Sequence, residues 1–334
     1  MESVKTILLI RLSSIGDIVL TTPVIRYLSL SFPEALLDFC TREPFLSLLA
    51  GDPRLSALHT PESLPTQRYD LVVDLQNNRR SRALCRSLRA KRMVRYKKPN
   101  IRKWLLVHAH LNLFPRIESV VTRYLRALDG ICTLPADVLG CELYCSPADQ
   151  TFASCFAASS QPTLAICFGA RHYTKRYPSS QFARVVSHLL DAQPFRILLL
   201  GGADEIADAK RLLQALPVRH HASILNLAGQ CTLMQSAAVL AAADMVLGND
   251  TGLMHIASAF KRPLYLLFGS SVSQFGFLPY HVPVRLFEVP GLSCRPCSHI
   301  GRDQCPKGEF ICMEKIDAAA VARAILDDVR SSDR

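Results

Sequence analysis

"ILLIRLSSIGDIVLTT" (residues 7–22) decides the fold. Its first four residues form an aliphatic strand with no polar alternation, the habit of a strand buried on both faces of a parallel sheet. A short polar turn follows, then Gly16, Asp17 and an apolar run that starts a helix. Strand, turn and helix open a nucleotide-binding βα unit, yet the G-x-G-x-x-G of dinucleotide enzymes is missing. A carboxylate also stands where a phosphate loop wants no negative charge. Asp17 needs another role.

The same alternation runs from end to end. Candidate strands lie at 6–11, 36–40, 70–75 and 92–96, with helices from near Asp17 and within 79–90 and 117–128. Further strands are read at 163–168, 195–200, 224–228, 244–248 and 263–268, with helices after Ser180, Asp204, Thr232 and Thr251 and a last one at 317–330. This βαβα order gives an α/β protein with parallel sheets covered on both faces. The pattern restarts after "SSQP" (159–162), so two doubly wound domains are expected, 1–160 and 161–334. The last helix could pack back on the N-terminal domain. Two such domains place a ligand cleft at the carboxyl ends of their strands.

The 334 residues suit two domains, and 49% apolar against 20% charged residues marks a core-forming chain. No apolar run reaches the roughly 18 residues that span a bilayer, and "ILLI" is too short for a signal peptide. A cytoplasmic location is expected. Most of the twelve cysteines are scattered through apolar segments as small hydrophobes, and a disulfide framework is not expected. The net charge of +11 is concentrated. Residues 79–103, "RRSRALCRSLRAKRMVRYKKPNIRK", hold twelve Lys or Arg and no acid, leaving 11 − 12 = −1 elsewhere. Such a patch calls for an acidic partner.

Three strand ends in the second half suit an anion. In "DMVLGNDTGLMHIASAF" (244–260) a strand delivers Asn249, Asp250, Thr251 and Gly252 to a helix N-terminus, where free N–H groups and the helix dipole gather positive charge. Gly252 permits close approach, Thr251 can donate its hydroxyl, and His255 lies one turn in. A helix cap with no ligand explains the same residues. "ICFGARHYTKRYP" (166–178) offers Gly169, Arg171, Lys175 and Arg176, and a flexible ammonium suits a diphosphate as readily as it suits solvent. "ILLLGGADEIADAKRL" (197–212) offers Asp204 and Glu205, either for ribose hydroxyls or as first-turn acids. Together they describe a nucleotide-diphosphate site. Asp17, facing it from the other domain, is ionised at its helix N-terminus and able to take a proton from a hydroxyl.

"IRLSSIGDIVLTTPVIRYL" with "GNDTGLMHIASAFKRPLYLLFGSS" resembles the heptosyltransferases of glycosyltransferase family 9. "DLQNNRRSRAL", "KKPNIRKWLL" and the cysteine-bearing tail resemble members of it too, so the likeness covers nearly the whole chain. It implies a GT-B fold of two Rossmann-like domains, the first binding acceptor and the second binding donor. It also implies an ADP-heptose donor, a lipopolysaccharide inner-core acceptor, inversion at the anomeric carbon, and no metal or other cofactor. Carried over, Asp17 is the base. Lys175 meets the donor diphosphate, Asp250, Thr251 and Gly252 bind phosphates and sugar, Glu205 holds the ribose, and Gly169 and His255 complete the donor site. Arg11, Ser14, Gly16, Gln76, Arg79, Arg80, Lys97 and Lys98 fall to the acceptor side, with Arg11 standing where some relatives have lysine.

The basic segment then gains a partner, since lipid-linked inner-core acceptors are anionic and lie at the inner leaflet. Its cations would dock lipid phosphates and the membrane surface, with Trp104, Leu105 and Leu106 dipping into the interface, or it is a solvated amphipathic helix. No nucleic-acid module accompanies the charge. The tail "CRPCSHIGRDQCPKGEFIC" (294–312) spaces its thiols C-x2-C-x7-C-x6-C. Cys294, Cys297, Cys305 and Cys312 could complete a zinc site or pack a loop. Another GT-B enzyme using a UDP-sugar, or a non-catalytic sugar-nucleotide-binding protein at the membrane, stays open. A dehydrogenase is disfavoured without G-x-G-x-x-G.

Overall fold

Residues 7–10 are buried and form the middle of the first sheet as β1 (Thr6–Ile10). The computed structural model describes residues 4–332 other than 67, 133–135 and 158–159. β1 pairs in parallel with β2 (Leu36–Cys40), and β2 with β3 (Ala57–His59). On its other side lie β4 (Arg68–Asp74) and then β5 (Arg89–Arg95), giving the order β3-β2-β1-β4-β5. The helices of this half are α1 (Ile15–Val19), α2 (Thr22–Ser31), α3 (Arg79–Ser87), α4 (Asn100–His108) and α5 (Val120–Leu125).

α6 (Pro147–Ala157) precedes a second parallel sheet of β6 (Thr163–Cys167), β7 (Arg196–Leu200), β8 (Ile224–Asn226), β9 (Met245–Asn249), β10 (Leu264–Leu267) and β11 (Val284–Phe287). Its order is β11-β10-β9-β6-β7-β8. The remaining helices are α7 (Ser179–Ala192), α8 (Ile206–Gln214), α9 (Leu233–Ala242), α10 (Gly252–Ala259), α11 (Ile311–Glu314) and α12 (Ala318–Ser332). Both sheets reverse strand order beside their first strand, between β1 and β4 and between β6 and β9. Ligands of doubly wound sheets bind at the carboxyl ends of strands at such reversals. Residues 11–17 leave β1 there, and residues 250–252 leave β9 there.

Helices α4, α6 and α11 were not read in the sequence, and α12 packs elsewhere than expected. α12 lies on α7, with Val321, Ala322, Ile325 and Val329 buried in the outer core of the second domain. A stripe this wide needs one continuous groove, which α7 and β10 supply, and Tyr265 of β10 donates to Asp328 at 2.7 Å. The last helix therefore does not return to the N-terminal domain. α6 instead crosses over to lie on α9, burying Ala153 in a core that runs through both domains. The linker read at 159–162 begins at Ser159, outside the described residues.

Candidate active site

Asp17 is held from three directions. Arg11 reaches its Oδ1 at 2.6 Å, the Ser14 amide and hydroxyl donate to Oδ2 at 3.2 and 3.0 Å, and the Tyr124 hydroxyl donates to Oδ1 at 3.4 Å. Burial pushes the carboxyl's pKa up, but the Arg11 charge and the Ser14 hydrogen bonds outweigh it and hold it below the ordinary value. Arg11 is itself fixed, donating to the carbonyls of Ser13 and Leu75, both at 2.8 Å. Gln76 is buried, and its side-chain oxygen accepts from the amides of Leu12 and Ser13. Gln76 and Ser14 thus build the turn that presents Asp17, where sequence had put them on the acceptor.

The second domain supplies the facing strand ends. Lys175 pairs with Asp250 at 2.5 Å. The Thr251 hydroxyl oxygen caps α10 by accepting from the Leu253 amide at 3.1 Å, which leaves its proton available to a ligand. Glu205 accepts from the Gly202 amide at 2.7 Å and lies across Gly169, where an added Cβ would sit 2.6 Å from Glu205 Cγ. Asn249, which the sequence places at this strand end without a role, is fully buried. It donates to the Phe168 carbonyl at 2.6 Å and accepts from the Tyr177 amide at 3.0 Å, tying the ends of β6 and β9 together. Its place just before Asp250 was the available signal.

The two motifs meet at their glycines. A Cβ on Gly16 would overlap the His255 ring, and a Cβ on Gly252 would stand 2.7 Å from Ile15 Cβ. α1 and α10 are therefore seated on one another across the cleft. The space beside Gly252 is taken up by Ile15 of α1. His255 is buried, its Nδ1 has no hydrogen-bond partner, and burial lowers its pKa, so its ring is neutral near pH 7. A second clasp joins the domains where Arg123 of α5 donates to the carbonyls of Phe275 and Gln274.

Asp17 opens onto a cleft of about 420 Å³ between the domains. Arg11, Lys98 and Lys103 enter it from one side, Phe277, His299 and Ile300 from the other. Burial, then the charges of Arg123 and other neighbouring cations, lowers the Lys103 pKa to about 8; its ammonium lies 5.3 Å from the Phe277 ring centroid. Burial and the Arg11 charge lower that of Lys98 as well. Lys103 was not singled out in the sequence. The signal was its place in the stripe 100, 103, 104, 107 and 108 of α4, all of which line the cleft.

Other predicted acceptor cations stand elsewhere. Arg79 and Arg80 are exposed at the start of α3, and Lys97 faces solvent. None of the three lines the cleft. Lys91 pairs with Asp70 at 2.9 Å and Arg95 with Asp74 at 3.8 Å, so part of the basic run ties β5 to β4. Trp104 is exposed, while Leu106 is buried and cannot enter an interface without unpacking.

Cys294, Cys297, Cys305 and Cys312 line one cavity of about 190 Å³. Among the described residues no group of three His, Cys, Asp or Glu side chains is arranged to hold a metal ion, so the zinc alternative is not supported by this arrangement. The thiols pack a loop instead. Arg302 in that loop exchanges backbone and hydroxyl hydrogen bonds with Thr174, next to Lys175, at 2.8 and 3.1 Å. The cysteine-bearing loop is thereby tied to the loop that carries Lys175.

Two Rossmann-like domains, each with its strand-order reversal at the interdomain cleft, give the GT-B fold. A sequence model of glycosyltransferase family 9 (heptosyltransferase) matches residues 58–306, and the chain belongs to that family. The lipopolysaccharide heptosyltransferase 2 of Escherichia coli K12 is 29% identical over 302 residues, 80% of this chain and 84% of its own. The solved E. coli ADP-heptose LPS heptosyltransferase II superposes with a TM-score of 0.76 at 23% identity, covering 98% of this chain and 100% of that one. An E. coli heptosyltransferase solved with ADP gives 0.70 at 20% identity, covering 97% and 99%.

Proposed function

We propose that this enzyme transfers a heptose from ADP-heptose to the anionic inner core of a lipid A-linked acceptor, inverting the anomeric carbon without a metal. One observation supports the reading: α1, which carries Asp17, and α10 interlock through Gly16 and His255, so the proposed base stands beside the helix proposed to hold the diphosphate. The names of the relatives supply the sugar and the acceptor class.

The donor diphosphate would lie at the N-terminus of α10, beside Asp250 and Thr251, with Lys175 exchanging its partner Asp250 for phosphate oxygens. Positive charge from the ammonium and helix end stabilises the departing ADP, the part a metal plays elsewhere. Glu205 would accept from the ribose hydroxyls. Asp17 takes the proton of the attacking acceptor hydroxyl as oxygen bonds to the anomeric carbon and the bond to the β-phosphate oxygen breaks on the opposite face. A carboxylate held this low in pKa is a weak base, so the reading requires Arg11 to share its charge with the acceptor's own anionic groups. Arg11, Lys98 and Lys103 line the cleft in position to do that. Action at the inner face of the cytoplasmic membrane belongs to the same reading.

A thermal-shift panel of ADP, UDP, GDP and NAD, followed by a transfer assay with ADP-heptose, tests it. ADP alone should raise Tm, since only a ligand of the native site stabilises by mass action. A preference for UDP would replace the donor assignment.

A further inference from the structure

The turn over residues 297–302 is closed by its own side chains. The buried Ser298 hydroxyl accepts from the amides of Ile300 and Gly301, at 3.1 and 3.0 Å, and donates to the Gly301 carbonyl at 3.0 Å. Arg302 Nε donates back to the Cys297 carbonyl at 2.9 Å. A hydroxyl that stands in for backbone partners in this way fixes the residues it encloses. Gly301 has φ +115°, and a Cβ on it would stand 2.6 Å from His172 Cβ. With the Arg302–Thr174 hydrogen bonds, that contact seats the turn against the residues just ahead of Lys175.

What the turn presents is His299 and Ile300, both exposed and both lining the cleft onto which Asp17 opens. His299 feels basic groups from two sides, Lys103 and His108 of α4 and Lys175 of the donor-side loop. Partial burial, then those neighbours, lowers its pKa, so the imidazole is neutral near pH 7. A neutral imidazole donates from one nitrogen and accepts at the other, which suits a sugar hydroxyl. Neither nitrogen has a hydrogen-bond partner among the described residues.

We infer that His299 hydrogen-bonds a hydroxyl of the transferred sugar, with Ile300 against the sugar's C–H face, so that this turn reads the sugar while Lys175 holds the diphosphate. A sugar joined to a diphosphate beside Lys175 and reacting beside Asp17 lies between the two. His299 stands on that stretch of wall, in range of Lys175 and lining the same cleft as Asp17. The inference deepens the proposed function and rests on its donor.

The test is titration calorimetry of the full chain with ADP and, separately, ADP-heptose, without acceptor, for the wild type, His299→Ala and His299→Gln. ADP carries no sugar, so its affinity should be the same in all three. ADP-heptose affinity should fall about two- to tenfold in His299→Ala, the loss of one neutral hydrogen bond. It should hold in His299→Gln, whose amide also donates and accepts. In steady-state kinetics the donor KM of His299→Ala should rise while the acceptor KM stays level. Equal ADP-heptose affinity in His299→Ala and wild type would overturn the inference. So would a rise in acceptor KM alone, which would move His299 to the acceptor, or a parallel loss of ADP affinity, which would make the turn a prop for Lys175. A wild type that binds ADP-heptose no better than ADP would overturn the donor's sugar and this inference with it, so the two failures are read in different proteins.

Discussion

Gly16 lies so close to His255 that a single methyl group on Gly16 would overlap the imidazole, although the two residues belong to different domains. The contact sets the Asp17 turn against the donor-side helix at a fixed distance. Asp17 lies one residue beyond Gly16 on α1, so any displacement of that turn moves the carboxylate.

Gly16→Ala should therefore push α1 away from α10 and lower turnover, with an overpacking penalty of about 1–3 kcal/mol. Adding His255→Ala removes the ring that the new methyl meets and should restore part of the turnover lost by Gly16→Ala. Steady-state kinetics on the two single variants and the double variant check this. A double variant slower than the product of the two single effects would show that the glycine acts for some other reason.

Lys103 gives the cleft a pH response near the physiological range. Its pKa is lowered to about 8, so it is cationic below that pH and neutral above it. Turnover of an anionic acceptor, measured as kcat/KM, should fall as pH rises through about 8, while the KM for the donor stays level. Lys103→Arg keeps its charge at higher pH and should move that fall upward. A pH profile identical in Lys103→Arg and wild type would remove Lys103 from acceptor recognition.

The basic segment should divide into two groups. Lys98→Ala, inside the cleft, should raise KM for a short soluble acceptor. Arg79→Ala with Arg80→Ala, exposed on α3, should leave that constant unchanged. Measuring both against one soluble acceptor separates recognition in the cleft from charge on the surface.

On the donor side, Lys175→Ala removes the ammonium that now pairs with Asp250 and leaves that carboxylate facing the diphosphate. ADP affinity by titration calorimetry should fall by about tenfold or more, as expected for a lost charge-assisted contact. Treatment with EDTA should leave turnover in place. Metal-reversible loss of turnover would reassign the charge that Lys175 is held to supply.

The sheets were legible because buried parallel strands carry unbroken aliphatic runs, and "ILLI" and "TLAIC" appear as β1 and β6. β3 and β11 were not read. They are edge strands of three and four residues with half-buried or exposed side chains, so no apolar run marks them. The placement of Asp17, Lys175 and the Asp250–Gly252 turn just beyond strand ends was readable because each follows an apolar run and a short polar turn. Partners across the cleft were not. Nothing in "SSIGD" says that its glycine meets a histidine of the other domain, and the stripe through "RKWLL" does not say that Phe277, His299 and Ile300 of the other domain face it. Those facts depend on how the two domains dock, and sequence offsets within one domain carry no record of it.

The central claim is that Asp17 is the base in a cleft whose donor site lies on the other domain. Turnover and ADP affinity of Asp17→Asn, measured together, test it most directly. The Asn side chain keeps the shape and cannot accept the proton, so turnover should fall by about 10² to 10⁴-fold while ADP binding stays at the wild-type value. Near-normal turnover in Asp17→Asn would contradict the claim and leave Asp17 as a cap on α1 and a partner for Arg11.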